Sequence, residues 1–558
     1  MRVIHTSGTD REIGSQHAEM LGNGVREGMV RFFSQLWERL TDAGGKSLTG
    51  KIALSTFKNY VAPSLKGRLI KQIPPFARER LEGMAKTAGM SVDELYPLLV
   101  LPDFGPVLQA MQGRLFPNRF VEFQPPAFGC SSFFIGKPHF YFGRNLDFPG
   151  TAYWDRFPVI QCFDRKAGLK FIGFTSAGIP FGGISGINEA QISVALHQHF
   201  TSRYRWDGEL PFLIAERVLQ NASTLDEAVA ILEKSRVSSA WAFLLADGKS
   251  RKACIVEALP DRISVRRWDV SDSGLAHSNY LVSESCRDCE TSASARMSWD
   301  NFYRRNRIET ELARVGENFD AAMGVKLLGD GLDPYWGIEK TLNRVVSQNY
   351  NIKSMLFNLD EMKVWIGENN DGPVHLGHYR EYDLGKIFAG GTGETGRMLE
   401  GYRFSRPELE ESKTNLISGY VAGMDGYPDQ ATALLQKSLD ASFFPEIEHV
   451  RSVLLLQQGD AQRALDGFNR AQGWIETQME KRGKKQPPPE LFESKLFAAR
   501  TLDVLGKRPE AKKAYQELAS DPRLQDDNLR RIAARSGPYT IAKARSIVMP
   551  FSAYAPFQ

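Results

Sequence analysis

The sequence is poor in several things that would otherwise name a function class. Among 558 residues there are only five cysteines, at 130, 162, 254, 286 and 289, and so small and odd a number excludes a secreted disulfide scaffold. Long apolar runs are missing as well. Stretches such as LYPLLVLPDF at 95–104 are broken by proline and too short to span a bilayer. The opening MRVIHTSGTDREIGSQHAEML has no apolar h-region, so no secretory leader is visible and a cytoplasmic location is expected. Nor is there an excess of one charge. Seventy basic residues against 66 acidic ones leave a net charge of +4, and basic clusters such as EKRGKKQ at 480–486 are short enough to be solvated loop. Nucleic acid is therefore not expected as a partner.

Motifs for bound groups are equally scarce. GGTGETG at 390–396 lacks the Lys-Ser/Thr of a phosphate loop and the helix that follows a dinucleotide fingerprint, and reads as a linker. Cys286 and Cys289 form a lone C-x-x-C without a second pair, which reads as a surface loop rather than a zinc or redox site. His197 and His199 in HQH share one strand face, but no third ligand is apparent in sequence, so a structural or substrate-lining role is preferred. His375 and His378 in VHLGH lack an H-E-x-x-H context. No metal and no cofactor are expected. NAS at 221–223 could accept a glycan only in a secretory setting.

What is present is a soluble globular composition, 42% hydrophobic and 24% charged, at a length that predicts two to four domains. The first 120 or so residues read as mainly helical: Met20, Leu21, Val25, Met29, Phe32 and Phe33 recur at helical spacing, and PPFARERLEGMAKTAGM continues the pattern. From Cys130 the character changes to hairpins, with turns at Lys137-Pro138, Asn188-Glu189, Asp247-Gly248 and 359–361. Helical stretches PFLIAERVLQ and TLDEAVAILEKSR lie between them, which suggests antiparallel sheets covered by helices. After GGTGETG three similar phrases follow, beginning at Gly426, Gly459 and Gly506. A period near 34 with Gly, Ala and a later aromatic resembles degenerate tetratricopeptide repeats, which would stack helical hairpins on one continuous core. The resulting division is a helical prosegment 1–129, a catalytic domain 130–395 and a helical domain 396–558.

One stretch stands out chemically: FGCSSFFIGKPHFYFGRNLDFPG, 128–150, where Gly129-Cys130 heads a strand and the return strand brings Arg144, Asn145 and Asp147. With the turn at Lys137-Pro138, Cys130 is expected opposite Asn145. Arg144 and Asp147 differ by three and point to opposite faces of a regular strand, so a bulge near Asn145, made easy by Gly143, is expected to bring both to the cysteine. The eight phenylalanines between 120 and 148 suit an apolar acyl pocket or an ordinary core.

GCSSFF at 129–134 with GRNLDF at 143–148 resembles the start of the catalytic chain in N-terminal nucleophile hydrolases of the choloylglycine hydrolase and acid ceramidase type. Residues 1 to about 385 resemble more closely the peptidase family typified by acyl-coenzyme A:6-aminopenicillanic acid acyltransferase. SGTDREIGSQHAEML matches its opening, LEGMAKTAGMSVDEL its second helical block, SGINEAQISVAL its Asn-Glu hairpin and LAHSNY its His-Thr-Asn-type strand. The resemblance implies a four-layer αββα fold and self-cleavage between Gly129 and Cys130. It implies that Cys130 is the nucleophile, that Arg144 and Asp147 hold its thiol and new amine, and that Asn279 donates to the oxyanion. It also implies a substrate-binding role for Gln198 and for Arg296, the latter matched to an arginine that follows the Asn strand in relatives. Gln198 stands where many relatives carry a second asparagine, which leaves the second oxyanion donor open.

The chemistry is coherent. A cysteine at a chain terminus carries its own base, an α-amine with an ordinary pKa of about 7.7–8.0, which can take the thiol proton and later deliver it to a leaving amine. The expected function is hydrolysis of a small N-acyl amide through a thioester. Acyl transfer through the same intermediate is one alternative. The other is an inert scaffold acting through its C-terminal helices, which are also the expected surface for a homodimer or a protein partner.

Overall fold

The computed structural model describes residues 1–34, 62–96, 99–100, 102–103, 129–148, 150–151, 153–291, 295–369, 373–545 and 547. The architecture is mixed α+β with a helical C-terminal region. In chain order the strands are β1 Arg2–Gly8, β2 Gly129–Ile135, β3 Tyr141–Asp147, β4 Pro158–Arg165, β5 Phe171–Ser176 and β6 Ser185–Asn188. They continue as β7 Ile192–Gln198, β8 Trp241–Asp247, β9 Lys252–Ala258, β10 Ile263–Asp269 and β11 Leu275–His277. The last are β12 Leu332–Asp333, β13 Ile338–Glu339, β14 Asn351–Asn358, β15 Lys363–Glu368, β16 His378–Asp383 and β17 Glu394–Glu400. An eight-stranded sheet runs β1-β4-β5-β6-β7-β8-β9-β10, and a seven-stranded sheet runs β11-β2-β3-β14-β15-β16-β17.

The four expected hairpins all form, as β2–β3, β6–β7, β8–β9 and β14–β15. Two strands go beyond the sequence reading. MRVIHTSG supplies β1, which lies parallel to β4 at the sheet edge, so the N-terminal segment is not wholly helical. Its polar, weakly alternating residues carry little strand signal, and its partner lies far away in sequence. GGTGETG does not end the sheet either: β17 pairs with β16, and strand structure reaches Glu400.

The core explains the layering. Phe134, Phe142, Met355 and Phe357 of the seven-stranded sheet meet Ile160, Ile172, Phe174 and Leu244 of the other in one apolar cluster between the sheets. On the far side of the eight-stranded sheet, Phe163, Val194 and Phe243 pack under helices Asp10–Leu21, Pro75–Ala88 and Pro211–Asn221. On the far side of the other sheet, Phe133, Ile135 and Leu356 pack under helices Ala295–Val315 and Ala321–Leu328.

Helices Asp10–Leu21 and Pro75–Ala88 touch backbone to backbone. A Cβ at Gly14 would lie 1.8 Å from the Arg80 carbonyl oxygen, and one at Gly83 2.0 Å from that of Arg11. Arg80, fully buried, binds Asp10 at 2.6 Å, Glu216 at 2.6 Å and the Pro180 carbonyl at 2.9 Å. The N-terminal helices are thus locked to the helix that covers the sheet. His17 shows the same integration. Its Nδ1 donates to Gln161 Oε1 at 2.8 Å and its Nε2 accepts from the Gly178 N–H at 3.0 Å.

That arrangement satisfies only the neutral ring, and burial holds the His17 pKa down at about 4. The unfolded chain takes up this proton near pH 6.5, so stability is full above that value and falls as the pH drops toward 4. Between pH 7 and pH 5 the loss from this one group is about 2 kcal/mol. Urea titrations should show that His17→Gln is less stable than wild type at pH 7 yet loses less stability on going to pH 5. Equal losses in both proteins would remove His17 from the acid sensitivity.

The C-terminal helices Pro407–Met424, Pro428–Ala441, Pro445–Gln458, Ala461–Lys481, Pro489–Val504 and Arg508–Ser520 each pack on the next. The three glycines that open the repeated phrases are the turns within three successive helical hairpins. Gly426, Gly459 and Gly506 have φ of 87°, 99° and 76°, a conformation that costs a side-chain-bearing residue roughly 1–2 kcal/mol. Their spacing in the sequence is therefore the spacing of hairpins. The region docks on the sheet-bearing part of the chain, with Ile475, Met479 and Leu491 against Tyr335 and Trp336. No helix among the described residues is long and apolar enough to cross a membrane.

Candidate active site

Cys130 is fully buried near the start of β2, with its thiol directed at the Leu196 carbonyl at 3.6 Å. Its side chain shares a face with Ser132 and Phe134, the face that looks across to the eight-stranded sheet. The expected register is off by one residue: Cys130 pairs with Leu146, and Asn145 pairs with Ser131. The loop around Lys137-Pro138 takes one residue more than the symmetrical turn assumed.

The expected bulge at Asn145 is also absent, since β2–β3 pair in unbroken register; the irregularity sits on the neighbouring strand, between Asn351 and Lys353. Alternation therefore holds, and the two charged residues flank the cysteine from opposite faces. Arg144 lies between the sheets, donating to the Leu196 carbonyl at 2.8 Å and to the Asn145 carbonyl at 2.7 Å. Asp147 lies on the other face, where its Oδ1 accepts from Asn351 at 2.7 Å. Both still act on the thiol: Arg144 through its guanidinium, Asp147 through its charge and its backbone N–H. Burial pushes the Cys130 pKa up, and Arg144 opposes it. Burial likewise raises the Asp147 carboxyl to about 6 against the pull of Arg304, Asn351 and Arg144. The second carboxyl oxygen of Asp147 is buried and has no hydrogen-bond partner.

Asn279 follows β11, the strand paired with β2. Its Oδ1 accepts from the Cys130 backbone N–H at 2.6 Å and its Nδ2 donates to the Gln198 carbonyl at 3.0 Å. A backbone donor on one side and a backbone acceptor on the other fix the amide orientation, and one Nδ2 hydrogen is left over. Gln198 thus meets the site through its main chain, while its side chain donates to the Pro102 carbonyl at 2.5 Å. Gly129 pairs with Asp147 across the ladder, directly before the cysteine.

Arg296 is not with this group. It is buried against Glu493 of the C-terminal helices at 2.7 Å. The arginine of the same helix that does reach the cysteine is Arg304, which sequence reasoning passed over. Fully buried, it donates to the Cys130 carbonyl at 2.7 Å and to Ser131 Oγ at 2.9 Å, and it approaches Asn279 Oδ1 at 3.4 Å. Its Nε binds Asp300 at 2.8 Å. Only the i, i+4 pair Asp300/Arg304 hinted at it, and such pairs are common on any helix.

The other candidates resolve into structure. His277 lies against both His197 and His199: its ring is 5.2 Å from that of His197 and its Nε2 is 3.2 Å from His199 Nε2, while Ser132 Oγ is 2.8 Å from His197 Nε2. Burial holds all three pKa values down. Among the described residues no group of three or more His, Cys, Asp or Glu is placed to hold a metal ion. Cys286 and Cys289, expected in a surface loop, are buried with Ala240, Leu259 and Leu281, because the short helix Glu284–Arg287, which carries Cys286, packs against the edge strand β10 and Cys289 lies in the turn that follows it. Phe134, Phe140 and Phe142 fill the space between the sheets, and Phe133 and Phe148 belong to the flanking clusters. Phe120, Phe123 and Phe128 lie outside the described residues. A cleft of about 2040 Å³ lies between Thr151, Ile352 and Lys353 and the C-terminal helices at Ile417 and Val421, and its walls include none of Cys130, Arg144, Asp147, Asn279 or Arg304. Lys353 stands in register with Leu146 and, through it, with Cys130.

No individual curated protein matches the chain. A family does: the matched stretch begins just after Cys130 and contains Arg144, Asp147, Gln198, Asn279 and Arg304. Residues 136–372 match the family model of acyl-coenzyme A:6-aminopenicillanic acid acyl-transferase, a family of the N-terminal-nucleophile type.

Proposed function

We propose that this protein is a self-processing N-terminal cysteine hydrolase that cleaves the linear amide bond of an N-acyl substrate. The observation that carries the reading is the hold on Cys130: Asn279 grips its backbone nitrogen, Arg304 its carbonyl, and Arg144 flanks its thiol. The helix–sheet–sheet–helix order of the packing clusters supports an N-terminal-nucleophile sandwich for 130–395; 1–129 is the segment that cleavage severs from it, while β1 and the two N-terminal helices stay packed in place. The three glycine-turned hairpins support a repeat-like unit for 396–558.

In the first step the Cys130 thiol attacks the Gly129 carbonyl, the C–N bond breaks, and the acyl group moves to sulfur. The nitrogen takes up the thiol's proton and becomes the free α-amine of Cys130; water then cleaves the thioester, which frees the thiol and leaves Gly129 as a carboxylate. The unpartnered oxygen of Asp147 offers that amine a buried acceptor. In turnover the α-amine takes the thiol proton as sulfur attacks the substrate carbonyl, and the spare Nδ2 hydrogen of Asn279 meets the developing oxyanion. The same proton passes to the departing amine, leaving a thioester, and water activated by the α-amine releases the acid. An amine in place of water gives acyl transfer, a partition that the family description makes worth measuring.

Intact mass and N-terminal sequencing of purified protein test the reading. A new N-terminus at Cys130, and a mass increase on the 130–558 piece when an N-acyl amide is quenched in turnover, are the expected results. A permanently uncut chain that takes up no acyl group would leave the inert scaffold standing.

A further inference from the structure

The catalytic cluster does not end within the matched family segment. Loop 340–347 is clamped by three helices of the C-terminal region. Lys413, on helix Pro407–Met424, donates to the carbonyls of Thr341 and Ser347, both at 2.6 Å, and so brackets the loop. Glu446, on helix Pro445–Gln458, pairs with Lys340 and lies 3.4 Å from Arg344. Glu490, on helix Pro489–Val504, accepts from Asn343 Nδ2 at 2.7 Å and from Arg344 Nη1 at 2.5 Å. All of these groups are buried.

The clamp holds a backbone that would not stay in place unaided. Asn343 and Arg344 have φ of 61° and 57°, two consecutive left-handed residues that are not glycine. Left-handed geometry costs roughly 1–2 kcal/mol per such residue, and it persists only where the surroundings over-determine it. The conformation aims the Arg344 backbone N–H at Asp300 Oδ1, 2.7 Å away. Asp300 Oδ2 in turn fixes Arg304 Nε at 2.8 Å, and Arg304 holds the Cys130 carbonyl at 2.7 Å. Every contact from Glu490 to Cys130 is a charged or charge-assisted hydrogen bond between buried groups, where such bonds are strong and misplacement is costly.

We propose that Glu490 of the helical region is a positioning residue for Cys130, acting through Arg344, Asp300 and Arg304. The inference rests on the hydrolase reading for its kinetic consequence, but not for its structural one. Helices beyond the matched segment thereby become part of the active-site support, and anything that pulls helix Pro489–Val504 away slackens the hold on the nucleophile.

The test compares Glu490→Gln with Glu448→Gln in the full chain. Glu448 is buried in the same helical region but pairs with Arg451 at 3.1 Å and Arg470 at 2.6 Å, away from the loop. Two readouts are taken: steady-state kinetics on an N-acyl amide, and hydrogen exchange of segment 131–135. Glu490→Gln should lower kcat by about 10- to 100-fold with KM little changed, the effect of a small displacement of the nucleophile. It should also speed exchange in 131–135, and Glu448→Gln should do neither. Glu490→Asp, which keeps the charge, should recover part of both effects. Where Glu490→Gln is too unstable to purify, Arg344→Lys carries the same expectation. If wild type turns over no amide yet Glu490→Gln still loosens 131–135, the relay stands and the hydrolase reading falls. Unchanged kcat and unchanged exchange in Glu490→Gln, or equal changes in Glu448→Gln, would overturn the relay.

Discussion

Replacing Cys130 by alanine should leave the chain uncut on prolonged incubation and abolish amide turnover, while the protein folds as before. The fold tolerates the change because the side chain is small and its one packing loss is the sulfur atom. The contacts that tie this residue into the site, Asn279 on its nitrogen and Arg304 on its carbonyl, belong to the backbone and survive. The chemistry does not survive. Without sulfur there is nothing to accept the Gly129 acyl group, so no α-amine is released to act as base, and no thioester forms with substrate. Losing a nucleophile of this kind costs about 10⁶ in kcat in a well-studied hydrolase triad. Gel analysis of wild type and variant side by side decides the matter. If both remain full length, self-processing is wrong, and with it the role of the α-amine.

Asn279→Ala should slow amide hydrolysis by about 10²–10³, the ordinary worth of one oxyanion donor. The loss should fall on kcat, because the spare Nδ2 hydrogen meets charge that develops only in the transition state. The structure adds a second consequence. Asn279 also satisfies the buried Cys130 N–H and the Gln198 carbonyl, so the uncut chain should lose about 1–3 kcal/mol of stability when both are left without a partner. Thermal melts of the variant in a Cys130→Ala background isolate that cost from processing. Wild-type kinetics in Asn279→Ala would remove it from the site.

Features that rest on neighbours along the chain are legible in the order of the residues. Each of the four hairpins is written in a turn and two flanking runs. The spacing of Gly426, Gly459 and Gly506 marks three helical hairpins because a left-handed turn selects glycine locally. Cys130, Arg144 and Asp147 could be read as one group because a single hairpin carries all three. Even there the turn length set the register, and a shift of one residue moved Leu146 rather than Asn145 opposite the cysteine.

Other features depend on where one element lands on another. The edge strand β1 exists only because β4 is there to pair with it. Arg296 and Arg304 sit on the same helix, and nothing in their flanking residues ranks them. Eight residues are about 12 Å along a helix axis, so the placement of Ala295–Val315 across β2 gives Arg304 to Cys130 and leaves Arg296 to Glu493. The path from Glu490 to the nucleophile joins residues from three distant parts of the chain through a strained loop. Its cause is the docking of the helical region on loop 340–347, and packing between separate elements leaves no local pattern to read.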